Sequence, residues 1–452
     1  MEKLLLSLCL ALALVPVSPA TAKPGSLDPE FGRDGRVVAP LESDAESPSS
    51  NAAIANLAGG GAIVLIDDRL LAFEPDGRPD PTFGGGRVRL ADPLPPSTYS
   101  DLAVDNEGRV VVGGTAWFGV GSAWTWSGDE DVVLARFDGD GSLDPTFGTS
   151  GVVRTDFGSS FQGTGELSWI KAPPISKLGG LLVDSAGRIL LSGLGATKVV
   201  SCKAGLYLPS GDAYLARLQG NGGFDPTFAQ GGRTRLAESA WVDAPILSNS
   251  GTTYLLDGPG TACHSSGFQL SAWGENGGPS PGFGQGNGVA TGGGRFFHAV
   301  ATDPKDRVVI VDAKNESSRS WVVRVRRFLP DGSIDLRFGA DGAAHVAGPA
   351  GFDFLPSSVA VEDSGGIIVA GTSQRIGRNG HGRFIVARFR ANGILDQSFG
   401  RRGRVVTAFG KRSDAEATAL TLVPRGILVA GPISSPDLFR SQGLALVRYS
   451  RG

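Results

Sequence analysis

One short phrase recurs seven times along this chain and restricts its fold more than any other feature. In its complete form it reads Leu-Asp-Pro-x-Phe-Gly, followed by Gly-x-Val-Val, as in residues 27–32 and 35–38. A unit repeated with spacings of 52 to 81 residues is typical of architectures that stack one supersecondary element many times. The phenylalanines at the centre of the phrase are Phe31, Phe83, Phe147, Phe228, Phe283, Phe338 and Phe399.

Three further stretches with the character of β-strands lie between consecutive copies of the phrase. In the second unit, the apolar runs are residues 101–104, 109–113 and 132–137, and tight Gly-containing turns separate them from each other or from the phrase. The Val-rich segment after the phrase, residues 151–153, supplies a fourth strand. No apolar period of 3.6 residues replaces this pattern, so the sequence predicts an all-β fold.

Seven units of four short strands predict a seven-bladed β-propeller. The ends of the chain support this prediction. The chain begins with a phrase and its Val strand, and it ends with a third strand at residues 444–449. We therefore expect the N-terminal strand, with Val37 beside Leu446, to complete the C-terminal blade and close the ring.

The first 22 residues have the features of a secretory signal peptide. Lys3 provides a positive charge, residues 4–15 are continuously apolar, and residues 20–22 read Ala-Thr-Ala, which fits the small-x-small cleavage rule. We expect residues 23–452 to form a single exported propeller, periplasmic or extracellular, that does not span a membrane and is a monomer. The net charge of −3 argues against nucleic acid as a partner.

The phrase, the Asp-Gly turns and the Ala-Arg-Phe third strand resemble the delta-60 repeat of bacterial exported proteins, which is related in pattern to NHL-type propellers. The resemblance covers nearly all of residues 25–452 and implies the propeller fold, but it implies little about activity. The fourth phrase has Ala229 in place of Gly and the fifth has Ser280 in place of Asp. These departures leave the boundaries of the fourth and fifth blades open.

The turns of the predicted propeller separate onto two faces. Short turns occupy one face, whereas the long connections, such as residues 115–130 and 194–211, occupy the other. Binding sites usually lie on such long loops. The sequence therefore predicts ligand contact, with a glycan or a protein, at four aromatic residues in residues 115–130; the alternative is that they form a local packing cluster. They are Trp117, Phe118, Trp124 and Trp126.

Two cysteines remain after removal of the signal peptide. Cys202 and Cys263 fall in equivalent loops of adjacent units, so an exported chain is predicted to join them in a disulfide. A reactive thiol or a metal pair that includes His264 is the alternative. We expect no cofactor and no metal, and we assign no catalytic residue.

An arginine in the third strand also repeats, and so does the aspartate of the phrase. Because a repeated pair is more often structural than functional, we expect an Arg–Asp ion pair within each blade; an anion-binding ring is the alternative. The arginines are Arg136, Arg217, Arg327, Arg388 and Arg448, and the aspartates are Asp28, Asp80, Asp144, Asp225, Asp335 and Asp396.

Three functions fit these observations. The first is a non-catalytic exported propeller that binds a protein or a glycan of the cell envelope through its loop-rich face. The second is a propeller hydrolase or lactonase with an axial metal, for which Asp243 and Asp257 are loop candidates. The third is a purely architectural envelope protein. The fold does not choose among them.

Overall fold

Seven antiparallel sheets surround a common axis, which confirms the predicted seven-bladed β-propeller. The protein is described by a computed structural model. It covers residues 22–41, 52–90, 97–119, 128–157, 175–201, 207–261, 264–265, 267–286, 288–292, 299–317, 320–376, 381–434 and 442–452. Among these residues, no helix is both long enough and apolar enough to cross a membrane.

The strands follow one another from the axis to the rim in each blade, and short 3-10 turns interrupt them at Ala58–Gly60, Gly84–Gly86 and Gly284–Gly286. The closing strand is β1 (Arg36–Pro40). Blade 1 contains β2 (Ala52–Asn56), β3 (Ala62–Ile66), β4 (Arg69–Phe73) and β5 (Arg87–Arg89). Blade 2 contains β6 (Ser97–Val104), β7 (Val110–Gly119), β8 (Gly128–Phe137) and β9 (Val152–Thr155). Blade 3 contains β10 (Ile175–Val183), β11 (Ile189–Ser201), β12 (Tyr207–Leu218) and β13 (Arg233–Val242).

The remaining blades repeat this order. Blade 4 contains β14 (Ile246–Leu247), β15 (Thr253–Thr261), β16 (His264–Ser265), β17 (Phe268–Trp273) and β18 (Val289–Gly292). Blade 5 contains β19 (Ala299–Thr302), β20 (Val308–Ser317), β21 (Ser320–Phe328) and β22 (Ala343–Ala347). Blade 6 contains β23 (Phe352–Val361), β24 (Ile367–Arg375), β25 (Arg383–Phe389) and β26 (Arg404–Thr407). Blade 7 contains β27 (Asp414–Ala415), β28 (Ala419–Val423), β29 (Gly426–Ser434) and β30 (Gln442–Tyr449), and β1 completes it.

The ring closes as the sequence predicts. Strand β1 pairs antiparallel with β30, and Val37 lies opposite Leu446 in the register. The chain before β1 is also held, because Leu27 forms a bridge with Tyr449. The outer strand of the last blade therefore comes from the beginning of the chain, so this sheet has no missing fourth strand.

Blade 4 departs from the repeat in a way that the sequence left open. Its innermost strand β14 has only two residues, whereas the preceding strand β13 runs for ten residues and then pairs with β15 of blade 4. Only three residues, ending in Pro245, separate β13 from β14. The pairing of β13 with β15 joins blades 3 and 4 into one continuous sheet, and a parallel bridge between β10 and β8 extends it to blade 2.

The phenylalanine of every phrase is a packing element between blades, with at most 2% of its surface exposed. Phe83, for example, belongs to a cluster that joins Ile63 of blade 1 to Val110 of blade 2. Each fully buried ring contributes about 1.5–3 kcal/mol. The phrase repeats because the same buried apolar side chain fills every interface between blades.

The repeated Arg–Asp pairing is observed in four blades, whereas blades 1 and 4 have Ala72 and Ala272 at the position of the arginine. In blade 3, Arg217 lies 2.8 Å from Asp225, 4.7 Å above the ring centre of Phe228, and donates to the carbonyl oxygen of Glu275 in blade 4 at 2.6 Å. The same pairing occurs at Arg136–Asp144, Arg327–Asp335 and Arg448–Asp28. In blade 6 the pattern is altered, since Arg388 binds Glu362 at 2.8 Å and lies 3.8 Å from Asp396. These arginines hold neighbouring blades together, which supports the structural interpretation.

Candidate functional site

The rim of blade 6 differs in charge from the rims of its sister blades. In blades 2 and 3, an arginine of the outer strand pairs with an aspartate at the start of the third strand, namely Arg154 with Asp131 and Arg235 with Asp212. In blade 6 the aspartate is replaced by Arg383, and Val406 takes the place of the outer arginine. One position that is acidic in blades 2 and 3 is therefore basic in blade 6.

The phrase of blade 6 adds three more arginines to this rim. Residues 400–404 read Gly-Arg-Arg-Gly-Arg. Arg402 has a φ of 55°, in the left-handed region that disfavours side chains other than Gly, Asn and Asp. The corresponding positions of two other phrases hold Asp34 and Asp341 with similar φ values of 53° and 52°. The turn accordingly takes this conformation throughout the repeat, and only in blade 6 does it present an arginine.

These arginines line a groove of about 670 Å³ along the outer edge of blade 6. Its apolar wall includes Phe352 and Val406, and the guanidinium of Arg383 lies 5.5 Å from the centre of the Phe352 ring. Arg404 donates to the carbonyl oxygen of Ala347 at 2.7 Å, which fixes one end of the wall. The groove thus combines a basic rim with an aromatic and aliphatic surface.

Within the described ranges, no carboxylate neutralises the positive charge of the groove. Among the residues that the structure describes, none of the four arginines (Arg383, Arg401, Arg402 and Arg404) forms an ion pair with a carboxylate. Two aspartates on adjoining strands are engaged by backbone amides, since Asp353 accepts from Trp321 at 2.8 Å and Asp414 accepts from Gly382 at 2.7 Å. Because an arginine is always charged, the groove attracts anions at any physiological pH.

A buried hydroxyl also borders this groove. Ser373, near the end of β24, exposes only 1% of its surface, and its Oγ has no hydrogen-bond partner among the described residues. The equivalent position in blade 2 is Ala116, which is also fully buried but carries no polar atom. A buried hydroxyl without a partner costs about 1–3 kcal/mol, so its presence needs an explanation.

A second departure from the repeat lies in the second strands of blades 4 and 5. In blades 2, 3, 6 and 7, one position of the second strand is Gly, because the backbone of the first strand passes very close to it. A Cβ atom on Gly431, for example, would lie 1.8 Å from the carbonyl oxygen of Glu416. Blades 4 and 5 instead carry Asp257 and Asp312, both with no exposed surface. Arg324 at 2.5 Å and Arg326 at 2.9 Å neutralise Asp312.

Asp257 and Asp243, which the sequence offered as hydrolase candidates, are brought together. Val242, next to Asp243, lies opposite Asp257 in the register, and Ser239 donates a hydrogen bond to Asp257 Oδ2. Asp257 Oδ1 and Asp243 Oδ2 are buried without a partner. Burial and, to a smaller extent, the negative charge of Asp257 together raise the pKa of Asp243 to about 7. Burial raises the pKa of Asp257 to about 6, against the hydrogen bond from Ser239.

The aromatic residues and the cysteines of the predicted sites fall largely outside the described residues. The backbone of Trp117 and Phe118 lies in strand β7, which extends to Gly119, so these two residues are not in a loop as predicted. The structure does not describe their side chains, and Trp124 and Trp126 lie outside the described residues, as do Cys202 and Cys263. The aromatic contact site and the disulfide stay predictions.

The arginine groove was missed by the sequence analysis, although its signal is visible there. The run at residues 400–404 is the only phrase with three arginines in five positions. What the sequence does not show is that Arg383 joins them. Over the described ranges, no three side chains among His, Cys, Asp and Glu come close enough to share a metal ion.

Comparison with known proteins supports a β-propeller family. Two stretches, residues 107–147 and 364–399, match the family described as "Domain of unknown function (DUF5122) beta-propeller". Each stretch runs from the first hairpin turn of a blade through its second and third strands to the phrase, in blades 2 and 6. The matches cover less than a fifth of the chain, and they do not test the delta-60 name. No curated protein matches the sequence.

Several solved propellers are similar to this chain at a distant level. A gluconolactonase from Xanthomonas campestris is 12% identical, with a TM-score of 0.38 over 91% of this chain and 97% of that one. An ulvan lyase is 10% identical, with a TM-score of 0.46 over 90% of this chain and 96% of that one. A microbial sialidase is 9% identical, with a TM-score of 0.40 over 86% and 73%. At such values, nothing about the chemistry of this chain follows from theirs.

Proposed function

We propose that this protein is an exported, non-catalytic binding propeller that holds an anionic ligand, carried by a protein or a glycan, in the rim groove of blade 6. The observation that carries the proposal is a set of four arginines with no carboxylate partner in the described part of the chain: Arg383, Arg401, Arg402 and Arg404. Planar guanidinium groups recognise carboxylate, sulfate and phosphate groups through paired hydrogen bonds. One end of the groove, at Ser373 and Arg383, opens toward the face that carries the long second-to-third connections.

A structural explanation of these arginines is less favoured. Charged residues on an outer strand prevent sheets from pairing edge to edge, and this purpose would be served equally by neutralised pairs. Blades 2 and 3 use such pairs, at Arg154–Asp131 and Arg235–Asp212. In blade 6 the aspartate of the third strand is lost, and Arg402 stands where the first phrase has Asp34, although Arg401 and Arg404 match Arg33 and Arg36. This excess of positive charge exceeds what protection of an edge requires.

The proposal is tested by the binding of a heparin oligosaccharide, measured by calorimetry at physiological salt. We expect Arg401→Gln/Arg402→Gln to weaken binding tenfold or more, because two charge-assisted hydrogen bonds at about 1.5–3 kcal/mol each are removed. Arg235→Gln on blade 3 is the matched control, since Asp212 already neutralises that arginine. If the double variant bound as tightly as the parent protein, the groove would not be the binding site.

A hydrolase is the second candidate, and the carboxyl pair of Asp243 and Asp257 is the observation in its favour. A carboxyl with a pKa near neutrality suits general acid–base catalysis. However, Asp257 has no exposed surface and, unlike Ser373, does not line the groove, so the groove gives a substrate no access to it. Hydrolysis of a panel of lactones and glycosides by the purified protein, abolished by Asp243→Asn, would favour this candidate over the binding function.

A further inference from the structure

Ser373 gives the groove a feature that a general anion site does not need. Its hydroxyl is buried and bonds to no group in the part of the chain that the structure describes, although it borders the groove. A ligand that only carried negative charge would be recognised by the arginines alone. An unpaired hydroxyl can donate to and accept from a polar group of an uncharged part of the ligand.

Phe352 is a second feature that a general anion site does not need. Its ring is half-buried at the beginning of β23, and the guanidinium of Arg383 lies over one of its two faces, which leaves the other face for a ligand. Aromatic planes of this kind pack against the apolar faces of sugar rings. A guanidinium 5.5 Å from the ring centre is then placed to bind an acidic group at the edge of a sugar that packs there.

The groove is long enough to hold several consecutive sugars and not only one. Thr407 lies opposite Phe384 in the register, and Arg404 lies opposite Ala387. Arg383 and Arg404 are therefore about four strand positions apart, or about 13 Å at about 3.3 Å per residue. Arg401 and Arg402 lie beyond Arg404 at the end near the phrase. Anionic groups repeated along an extended polymer match this spacing better than a single small anion does.

We infer that the groove of blade 6 binds an acidic glycan, a chain of sugars bearing carboxylate or sulfate groups. This inference rests on the proposed function and adds the chemical class of its ligand. Phe352 supports a sugar ring, Ser373 bonds a sugar hydroxyl, Arg383 binds the acidic group of that sugar, and Arg401, Arg402 and Arg404 bind those of the following sugars. An acidic peptide or a polyphosphate offers neither a sugar face for Phe352 nor ring hydroxyls for Ser373.

The experiment compares four probes on the full mature chain: oligogalacturonate, a heparin oligosaccharide, poly-glutamate and inorganic polyphosphate. We expect at least one of the two glycans to bind more tightly than both other polymers at equal ionic strength. Ser373→Ala should weaken the binding of that glycan about threefold to tenfold, the range of one hydrogen bond. It should change the affinity for poly-glutamate and polyphosphate less than twofold. Ser333→Ala, on an exposed turn of blade 5, is the control.

Stability provides an independent readout for the same variant. Because Ser373 Oγ has no partner in the free protein, Ser373→Ala should leave the melting temperature unchanged or raise it. A purely structural serine would lower it. A loss of glycan affinity in a variant that melts no earlier therefore supports the inference.

The outcomes separate the two proposals. If all four polymers bound equally through the arginines, and Ser373→Ala changed none of them, the groove would be a general anion site; the inference would be overturned and the proposed function would stand. If poly-glutamate or polyphosphate bound best, the glycan class would likewise be wrong. If Arg401→Gln/Arg402→Gln affected no probe, both proposals would fail.

Discussion

At the scale of single residues, the chain uses its charged side chains in two different ways. Arg217 and its repeated equivalents are buried, paired and bonded to the next blade, so their contribution is to stability. Arg401 and Arg402 are exposed and form no ion pair among the described residues. Charged side chains that recur from blade to blade are therefore structural, and charged side chains that depart from the repeat are the candidates for binding.

Replacement of a repeated arginine should destabilise the protein strongly. Arg217→Met would leave Asp225 buried without its partner and would remove the bond to the carbonyl oxygen of Glu275. We expect the free energy of unfolding to fall by about 3 kcal/mol, as measured by urea denaturation. Arg235→Gln, at a pair whose arginine is exposed although Asp212 is buried, should cost less, about 1 kcal/mol. Equal losses in the two variants would contradict the assignment of Arg217 to the blade interface.

The carboxyl pair of blade 4 should make stability depend on pH. The pKa of Asp243 is raised from 3.8 to about 7 in the folded state, so the folded chain binds a proton more tightly than the unfolded chain does. Stability from this group is complete below about pH 4 and is lost as the pH rises to about 7. We expect Asp243→Asn to be about 1–2 kcal/mol more stable than the parent at pH 8, and to lose that advantage at pH 4. A pH-independent difference in denaturation midpoint would refute this.

At the scale of strands, the close approach of the first and second strands decides which residues the second strand accepts. Gly431 lies where a Cβ atom would overlap the backbone of residue 416. Blades 4 and 5 escape this restriction and accept Asp257 and Asp312. In blade 4 the first strand is reduced to two residues, and the residue opposite Asp257 is Val242 of β13.

A methyl group at Gly431 should therefore be costly. The added Cβ would lie 1.8 Å from the carbonyl oxygen of Glu416, so the strands would have to separate. We expect Gly431→Ala to lower the free energy of unfolding by about 3 kcal/mol, the upper part of the range for overpacking. Gly139→Ala is the control, because no atom lies within 4 Å of its added Cβ. Thermal melting of the two variants measures the difference.

At the scale of the whole molecule, stability depends on closure of the ring by its own ends. Strand β1 is the outer strand of blade 7, and Phe31 fills the interface between blades 7 and 1. Loss of this segment would expose the edge of β30 and open an apolar gap at one interface. The cooperative unit is therefore the complete ring.

Deletion of residues 25–40 tests this dependence. We expect the shortened protein to melt at a lower temperature and to aggregate, because the edge of β30 is left without its partner. A synthetic peptide of residues 23–41, added in excess, should restore part of the lost stability by binding in the vacant position. A shortened protein that melted like its parent would show that closure does not hold the ring together.

The sequence by itself determined the fold class, the number of blades, the partner of the first strand and the repeated Arg–Asp pairs. These features are set by local patterns that recur, so each copy reinforces the interpretation of the others. Only the tertiary structure shows which residues meet in the arginine groove of blade 6 and in the carboxyl pair of blade 4. Arg383 and Arg402 are 19 positions apart in the chain, and only the pairing of β25 with β26 places them in one groove. Likewise, the pKa values of Asp243 and Asp257 follow from burial against neighbouring strands, which no spacing in the sequence encodes.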